Sequence, residues 1–202
     1  MKRLLFLGDS ITDSGRLWLP EYKGLGDGYV KIIADFLHRE EPALELINKG
    51  HDGFTLPALL RNLSIDCFSL SPDLITVLIG INDISVAINT GSPKLLQNFQ
   101  DHYRMLLDRL LSESSAEIVC MGPFLFPHPQ EYALWMPSVL HIQEIIASLA
   151  LEYGLAFLPL HEPLNRLARE LGYPAVTTDG IHLTQAGHKL IAKIWLKQYY
   201  GV

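Results

Sequence analysis

Four short polar blocks in this 202-residue sequence carry side chains that could do chemistry together. They are Gly8-Asp9-Ser10-Ile11-Thr12-Asp13, Asn48-Lys49-Gly50-His51-Asp52-Gly53, Gly80-Ile81-Asn82-Asp83 and Asp179-Gly180-Ile181-His182-Leu183-Thr184. Singly, each is what a strand-to-helix turn uses, glycine and small polar residues. Together they supply the parts of an acyl-transfer site. A serine hydroxyl such as Ser10 is a weak nucleophile until a base removes its proton, and histidine has a suitable pKa. Asp179 and His182 are three apart in one turn, so the carboxylate can hold the imidazole Nδ1–H and leave Nε2 facing Ser10. A developing oxyanion needs fixed donors. The Ser10 amide, the Gly50 amide and the Asn82 side-chain amide are the expected three.

Something must bring blocks so far apart to one place. Each of the first three follows an apolar run of strand length, and five such runs occur: Leu4–Leu7, Leu44–Ile47, Leu74–Ile79, Ile118–Met121 and Ala156–Leu158. Helix-period stretches lie between them. One carries Leu96, Phe99, Tyr103, Leu106 and Leu110 on a stripe; another carries Val139, Ile142, Ile146 and Leu149. A last helix starts after Thr184, a suitable N-cap, with Leu190, Ile191, Ile194 and Trp195 on one face and Lys189, Lys193 and Lys197 on another. Continuously apolar strands suit a parallel sheet covered on both sides. Strict alternation then predicts one three-layer α/β/α domain over residues 1–202, with right-handed crossovers. Ligands bind such sheets beyond the carboxyl ends of the strands, where these blocks fall.

The four blocks resemble the signature of the GDSL, or SGNH, hydrolases, across residues 8–188. Gly8-Asp9-Ser10-Ile11 resembles the first block, with isoleucine for leucine. Asn48-x-Gly50, Gly80-x-Asn82-Asp83 and Asp179-x-x-His182 resemble the others. The resemblance implies a flavodoxin-like sheet of order 2-1-3-4-5. It also implies ester hydrolysis through an acyl-enzyme, with Ser10, Asp179 and His182 catalytic and Ser10, Gly50 and Asn82 forming the oxyanion hole. The chain order Ser…Asp…His also occurs in α/β-hydrolases, but no Gly-x-Ser-x-Gly elbow surrounds Ser10. The expected substrates are short-chain carboxylic esters, O-acetylated carbohydrates among them. An acyltransferase or thioesterase would use the same triad. A non-catalytic flavodoxin-like binding domain would have no need of Gly50, Asn82 and His182 together.

Other features narrow the field. A formal net charge of −6 argues against nucleic acid as a partner. Lys2-Arg3 before Leu4–Leu7 imitates a signal peptide, but four apolar residues fall short of the roughly 7–15 of an h-region. No run reads as the ~18–20 apolar residues of a membrane span, so a cytoplasmic location is expected. Cys67 and Cys120 read as buried thiols. No His, Cys, Asp and Glu set has metal spacing, and no cofactor is implied. His51 and His188 read as structural, His128 and His141 as solvated. Asp9, Asp13 and Asp83 read as ties for loop amides, though Asp9 and Asp83 would pass for a glycosidase pair. Trp18-Leu19-Pro20-Glu21-Tyr22 and Phe124–Pro129 leave the carboxyl edge and lead to Trp135. Trp18, Ile81, Phe124, Trp135 and Ile181 are therefore the candidate pocket walls. Only the short segment Ala87–Ser92 is available as a lid, which favours a small acyl group. Nothing in the sequence speaks to oligomeric state.

Overall fold

Strands without charged residues in their interiors are stable only when both faces are covered. In the computed structural model, which describes residues 2–18 and 24–201, five strands form one parallel sheet, four of them of this kind and one, at the edge, carrying Lys49. They are β1 (Arg3–Gly8), β2 (Glu45–Gly50), β3 (Leu74–Leu78), β4 (Glu117–Met121) and β5 (Ala156–Leu158), in the order β2-β1-β3-β4-β5. This is the order implied by the resemblance. β1 stands opposite β2 and β3 in register, with Gly8 beside both Gly50 and Leu78. Three strands therefore end at one level, and the segments leaving them share one edge. The crossovers diverge at β1 and β3, so that edge opens into a crevice there.

The helices follow in chain order: α1 (Ser10–Asp13), α2 (Tyr29–Glu40), α3 (Leu56–Asp66), α4 (Ile81–Thr90), α5 (Lys94–Gln97), α6 (Phe99–Glu113), α7 (Met136–Glu152), α8 (His161–Leu171), α9 (Tyr173–Val176) and α10 (Gln185–Tyr200). α2, α10 and α8 pack in series on one side of the sheet; α3, α6 and α7 do so on the other. α6 buries Phe99, Tyr103, Leu106 and Leu110, and α7 buries Val139, Ile142, Ile146 and Leu149, as predicted; Leu96, expected on the first stripe, falls in α5 and is half-buried. Thr184 caps α10 by accepting the Ala186 N–H. Cys67 and Cys120 are free and buried.

Two expectations need correction. β2 runs three residues beyond Ile47, because Asn48, Lys49 and Gly50 continue to pair with Phe6, Leu7 and Gly8. As an edge strand it buries alternate residues, Leu46, Asn48 and Gly50, so its far end lacks the apolar signal of a central strand. The run Gln130–Glu152 is long and apolar enough to cross a membrane, contrary to the sequence reading. In the fold it is a 3₁₀ segment, Gln130–Trp135, joined to α7, whose apolar stripe packs onto β4, β5 and α6.

The C-terminal helix is locked to the sheet by Trp195. Its ring lies 5.5 Å from that of Phe6, and its Nε1–H donates to Thr76 Oγ1 of β3 at 3.0 Å, fully buried. Thr76→Val keeps the shape and removes the acceptor. It is expected to lower unfolding free energy by about 1–3 kcal/mol, the cost of a buried unpaired donor, measured by urea denaturation.

Candidate active site

Ser10 is positioned by the abrupt change from β1 to the single turn α1. Asp9 caps that turn, its Oδ1 accepting the Ile11 N–H at 3.0 Å. The turn is tight enough that a Cβ on Gly8 would lie 2.2 Å from Thr12 Oγ1 and 2.6 Å from Leu78 O. Ser10 is therefore the first residue of a helix, where a backbone N–H has no partner within the helix.

His182 comes from the turn before α10. Its Nε2 lies 3.0 Å from Ser10 Oγ, and its Nδ1 lies 2.6 Å from Asp179 Oδ2. Asp179 Oδ1 accepts the backbone N–H groups of Ile181 and His182, at 2.9 and 2.8 Å. Burial alone would raise the Asp179 pKa, but the His182 ring and these two amides outweigh it, and the carboxylate is held below its ordinary value. With a carboxylate on Nδ1, the imidazole keeps its proton there and offers Nε2 as acceptor to the Ser10 hydroxyl. The turn is braced from behind. Thr177 Oγ1 donates to His182 O at 2.7 Å and accepts the Gly180 N–H at 2.8 Å, while the Phe126 N–H donates to Gly180 O at 3.0 Å. A Cβ on Gly180 would fall 2.1 Å from His128 O. The segment after β4 thus backs this turn and does not wall the pocket.

The oxyanion donors are placed less simply. Asn82 lies in the first turn of α4, with Nδ2 donating to Phe54 O at 3.0 Å, which leaves its second amide hydrogen for another acceptor. Gly50 does not match its expected role. It is buried within β2, its N–H donates to Asn48 Oδ1 at 2.8 Å, and a Cβ there would be 2.1 Å from Asp13 N. Its need for glycine is steric, since α1 presses on it. Beyond it, Phe54 N–H closes a turn onto His51 O at 3.1 Å, with Gly53 inside the turn at φ +73°.

Asn48 is a residue whose role the sequence reading missed. Buried, it donates Nδ2 to Thr12 O at 2.7 Å and to Leu25 O at 2.9 Å while accepting the Gly50 N–H. It knots β2 to the segments around Ser10. A polar residue before Gly50 was the available signal, but polarity alone does not reveal burial.

A cavity of about 610 Å³ opens over Ser10 and His182. Of the candidate walls, Trp18 borders it, together with Leu17, Asp52 and Phe54. Leu19-Pro20-Glu21-Tyr22 lie outside the described residues. The other four candidates are not among the lining residues. Ile81 and Phe124 are core residues, 1% and 0% exposed. Trp135 is buried against Tyr132 at 4.7 Å, and Ile181 packs onto the core from beside His182. Apolarity at a strand end closes this core more often than it lines the crevice.

Two more histidines reach the cavity, both tied by structural bonds. His51 Nε2 pairs with Asp66 at 2.8 Å, its Nδ1 faces Arg16 at 3.3 Å, and its ring stacks on Phe54 at 4.3 Å. His188 Nδ1 accepts the Tyr29 N–H at 3.2 Å, and burial lowers its pKa to about 4, so it stays neutral. His128 and His141 are exposed, as expected. Asp83 accepts the Leu56 N–H on both oxygens, at 3.2 and 3.0 Å, and Asp13 pairs with Arg16 at 3.0 Å. The three aspartates thus tie down backbone or a neighbouring cation.

The sequence profile of the GDSL-like lipase/acylhydrolase family matches residues 6–190. An acetylxylan esterase from Geobacillus stearothermophilus is 29% identical over 206 residues, covering 98% of this chain and 93% of that protein. A crystal structure of that esterase superposes with a TM-score of 0.86 at 26% identity, over 98% of this chain and 93% of that one. Its solved structures include catalytic mutants in which a serine or an aspartate is replaced by alanine. An alpha/beta hydrolase from the metagenome of Lake Arreo, Spain, superposes at 0.85 over 96% of this chain and 93% of that one; at 24% identity the likeness is one of fold.

Asp9 gives the site a pH-dependent stability. Burial raises its pKa to about 7, against the lowering effects of the Ile11 N–H and His182. Between about pH 4 and pH 7 the folded protein therefore holds a proton that the unfolded chain has released, and stability falls as pH rises through that window. Asp9→Asn keeps an oxygen for the Ile11 N–H but cannot ionise. Relative to the parent it is expected to gain stability progressively from pH 4 to pH 7, on the order of a few kcal/mol, and no further above. Urea midpoints measured at pH 4.5, 6 and 8 test this; parallel pH profiles for the two proteins would refute it.

Proposed function

The chain belongs to the GDSL-like lipase/acylhydrolase family and is a carboxylic-ester hydrolase, and we propose that it deacetylates O-acetylated carbohydrates through a Ser10–His182–Asp179 triad. The observation that carries the mechanism is the unbroken line Ser10 Oγ, His182 Nε2, His182 Nδ1, Asp179 Oδ2, with steps of 3.0 and 2.6 Å. The carbohydrate reading is supported by the activity named for the Geobacillus stearothermophilus relative, which is similar over nearly the whole chain. It is also supported by exposure. The His182 and Asp179 side chains are 46% and 50% exposed, so a bulky alcohol can approach without entering a deep tunnel.

In this mechanism Ser10 Oγ attacks the acetyl carbonyl as its proton passes to His182 Nε2. Asp179 stabilises the imidazolium so formed and remains ionised throughout. The carbonyl oxygen becomes an oxyanion facing the Ser10 N–H and the free hydrogen of Asn82 Nδ2. We assign the third donor to Gly53 N–H in place of Gly50, because Asp52 and Phe54 on either side of Gly53 line the cavity with Ser10. Collapse expels the sugar alkoxide, which takes the proton from His182. Water, losing a proton to His182, then attacks the acetyl-serine; collapse breaks the bond to Ser10 Oγ, which takes that proton back from His182, and acetate leaves.

A fluorophosphonate probe is expected to label Ser10, and Ser10→Ala to abolish both labelling and hydrolysis of p-nitrophenyl acetate. Residual turnover by a clean Ser10→Ala preparation would end the mechanism. For Asn82→Ala, kcat is expected to drop by ~10²–10³, the loss typical of one oxyanion donor. An Asn82→Ala enzyme with the parent rate would remove that side chain from the reaction. The carbohydrate reading is tested by comparing acetylated xylo-oligosaccharides with p-nitrophenyl esters of rising chain length. A preference for long acyl chains over the acetylated sugars would overturn it.

A further inference from the structure

The cavity over Ser10 is larger than an acetyl group requires, so most of it belongs to the alcohol half of the ester. Its walls mix apolar side chains, Leu17, Trp18 and Phe54 among them, with polar ones. The Trp18 indole borders it while 82% exposed, and water contact with so much apolar surface is unfavourable without a partner. Asp52 borders it from the β2–α3 turn. Among the described residues that line it there is no lysine or arginine.

Asp52 is also the acceptor left available on its loop. The two ring nitrogens of the neighbouring His51 are engaged by Asp66 and Arg16, and Phe54 is stacked under His51. No ion pair forms on Asp52 among the described residues; its charge is felt as repulsion by the buried Asp9 and by Asp13, which lines the cavity. A carboxylate that accepts hydrogen bonds and an indole face that takes C–H bonds are the two groups a neutral pyranose needs.

We propose that Trp18 and Asp52 form the alcohol-side subsite, with Trp18 stacking on a sugar ring and Asp52 accepting its hydroxyls, so that the pair sets the preference for carbohydrate esters. The proposal rests on the carbohydrate reading above. A cationic alcohol is the competing occupant, since an aromatic face and a carboxylate also suit a quaternary ammonium.

The test measures kcat/KM of the parent, Trp18→Ala and Asp52→Asn proteins on an acetylated xylo-oligosaccharide, p-nitrophenyl acetate and acetylcholine. The ratio of sugar ester to p-nitrophenyl acetate is expected to fall by about tenfold or more in each variant, mainly through KM. In a Ser10→Ala background, unacetylated xylo-oligosaccharide is expected to change tryptophan fluorescence, and adding Trp18→Ala to remove that change. An unaltered ratio in both variants, with the parent active on the sugar, overturns the subsite and leaves the carbohydrate reading standing. A parent inactive on the sugar overturns that reading and the subsite with it. A parent that prefers acetylcholine, with the preference lost in Asp52→Asn, assigns the pair to a cation and overturns the sugar.

Discussion

A hydrogen bond of 3.0 Å between Ser10 Oγ and His182 Nε2 joins residues 172 apart in the chain, and the site works only if both ends hold still. The Ser10 end is set by packing. Gly8 allows α1 to fold back against β1, Gly50 allows the same turn to press on β2, and Asn48 stitches the contact through two carbonyls and one amide. The His182 end is set by hydrogen bonds, through Asp179 in front and Thr177 and Gly180 behind. Each end is an edge of the sheet or a short turn whose backbone groups are already committed.

The site also carries an electrostatic cost that the fold accepts. Asp9 and Asp83 are buried carboxyls, both pushed up to about 7 chiefly by loss of solvent, and Asp9 adds to the shift of Asp83. Each holds a backbone amide that starts a helix, Ile11 in α1 and Leu56 in α3. Together with the Asn82 bond to Phe54 O, the Asp83 contacts fasten the start of α4 to the loop that presents Gly53. The cost of burial is thus tied to the segments that carry the proposed oxyanion donors. A neutral cap at either position would relieve the cost, and the comparison with Asp9→Asn separates the charge from the geometry.

Much of this was legible in the sequence because it was written in apolarity and spacing. Central strands are continuous apolar runs, so β1, β3, β4 and β5 lie where those runs occur, and the stripes of α6 and α7 follow the helical period. Ser10 lies at the sheet edge because the turn after β1 must, and Asp179 and His182 reach it from the turn between α9 and α10, which is braced on the segment after β4. The failures have a common cause. The end of β2 is polar, and Asn48 is buried through its hydrogen bonds, which hydropathy cannot register. Gly50 and Gly53 differ in what surrounds them: one is pressed by Asp13, the other has nothing within 4 Å of its Cβ position. Ile81, Phe124, Trp135 and Ile181 lie off the cavity because an apolar side chain in a loop or helix start on this side of the molecule serves the core or the pocket equally well, and only the fold separates the two.

Exposure then decides what kind of ester this site suits. A deep hydrophobic tunnel would shield the triad and reward a long acyl chain through buried area, at roughly 25 cal/mol per Å². Here His182 and Asp179 are about half exposed, and the cavity beside them carries Asp52 and two structural histidines. The apolar side chains there, Leu17, Trp18 and Phe54, border an open cavity that they share with these polar groups and do not enclose a tunnel. In the proposed subsite, hydrogen bonds to Asp52 and the exposed Trp18 indole act on the alcohol. On the proposed reading, discrimination comes from the leaving group, while the acyl half fits beside Ser10 and the proposed oxyanion donors. That division follows from the same geometry that fixes the nucleophile: α1 places Ser10 at the edge of the sheet, and the segment that continues from it carries Trp18 to the rim of the cavity.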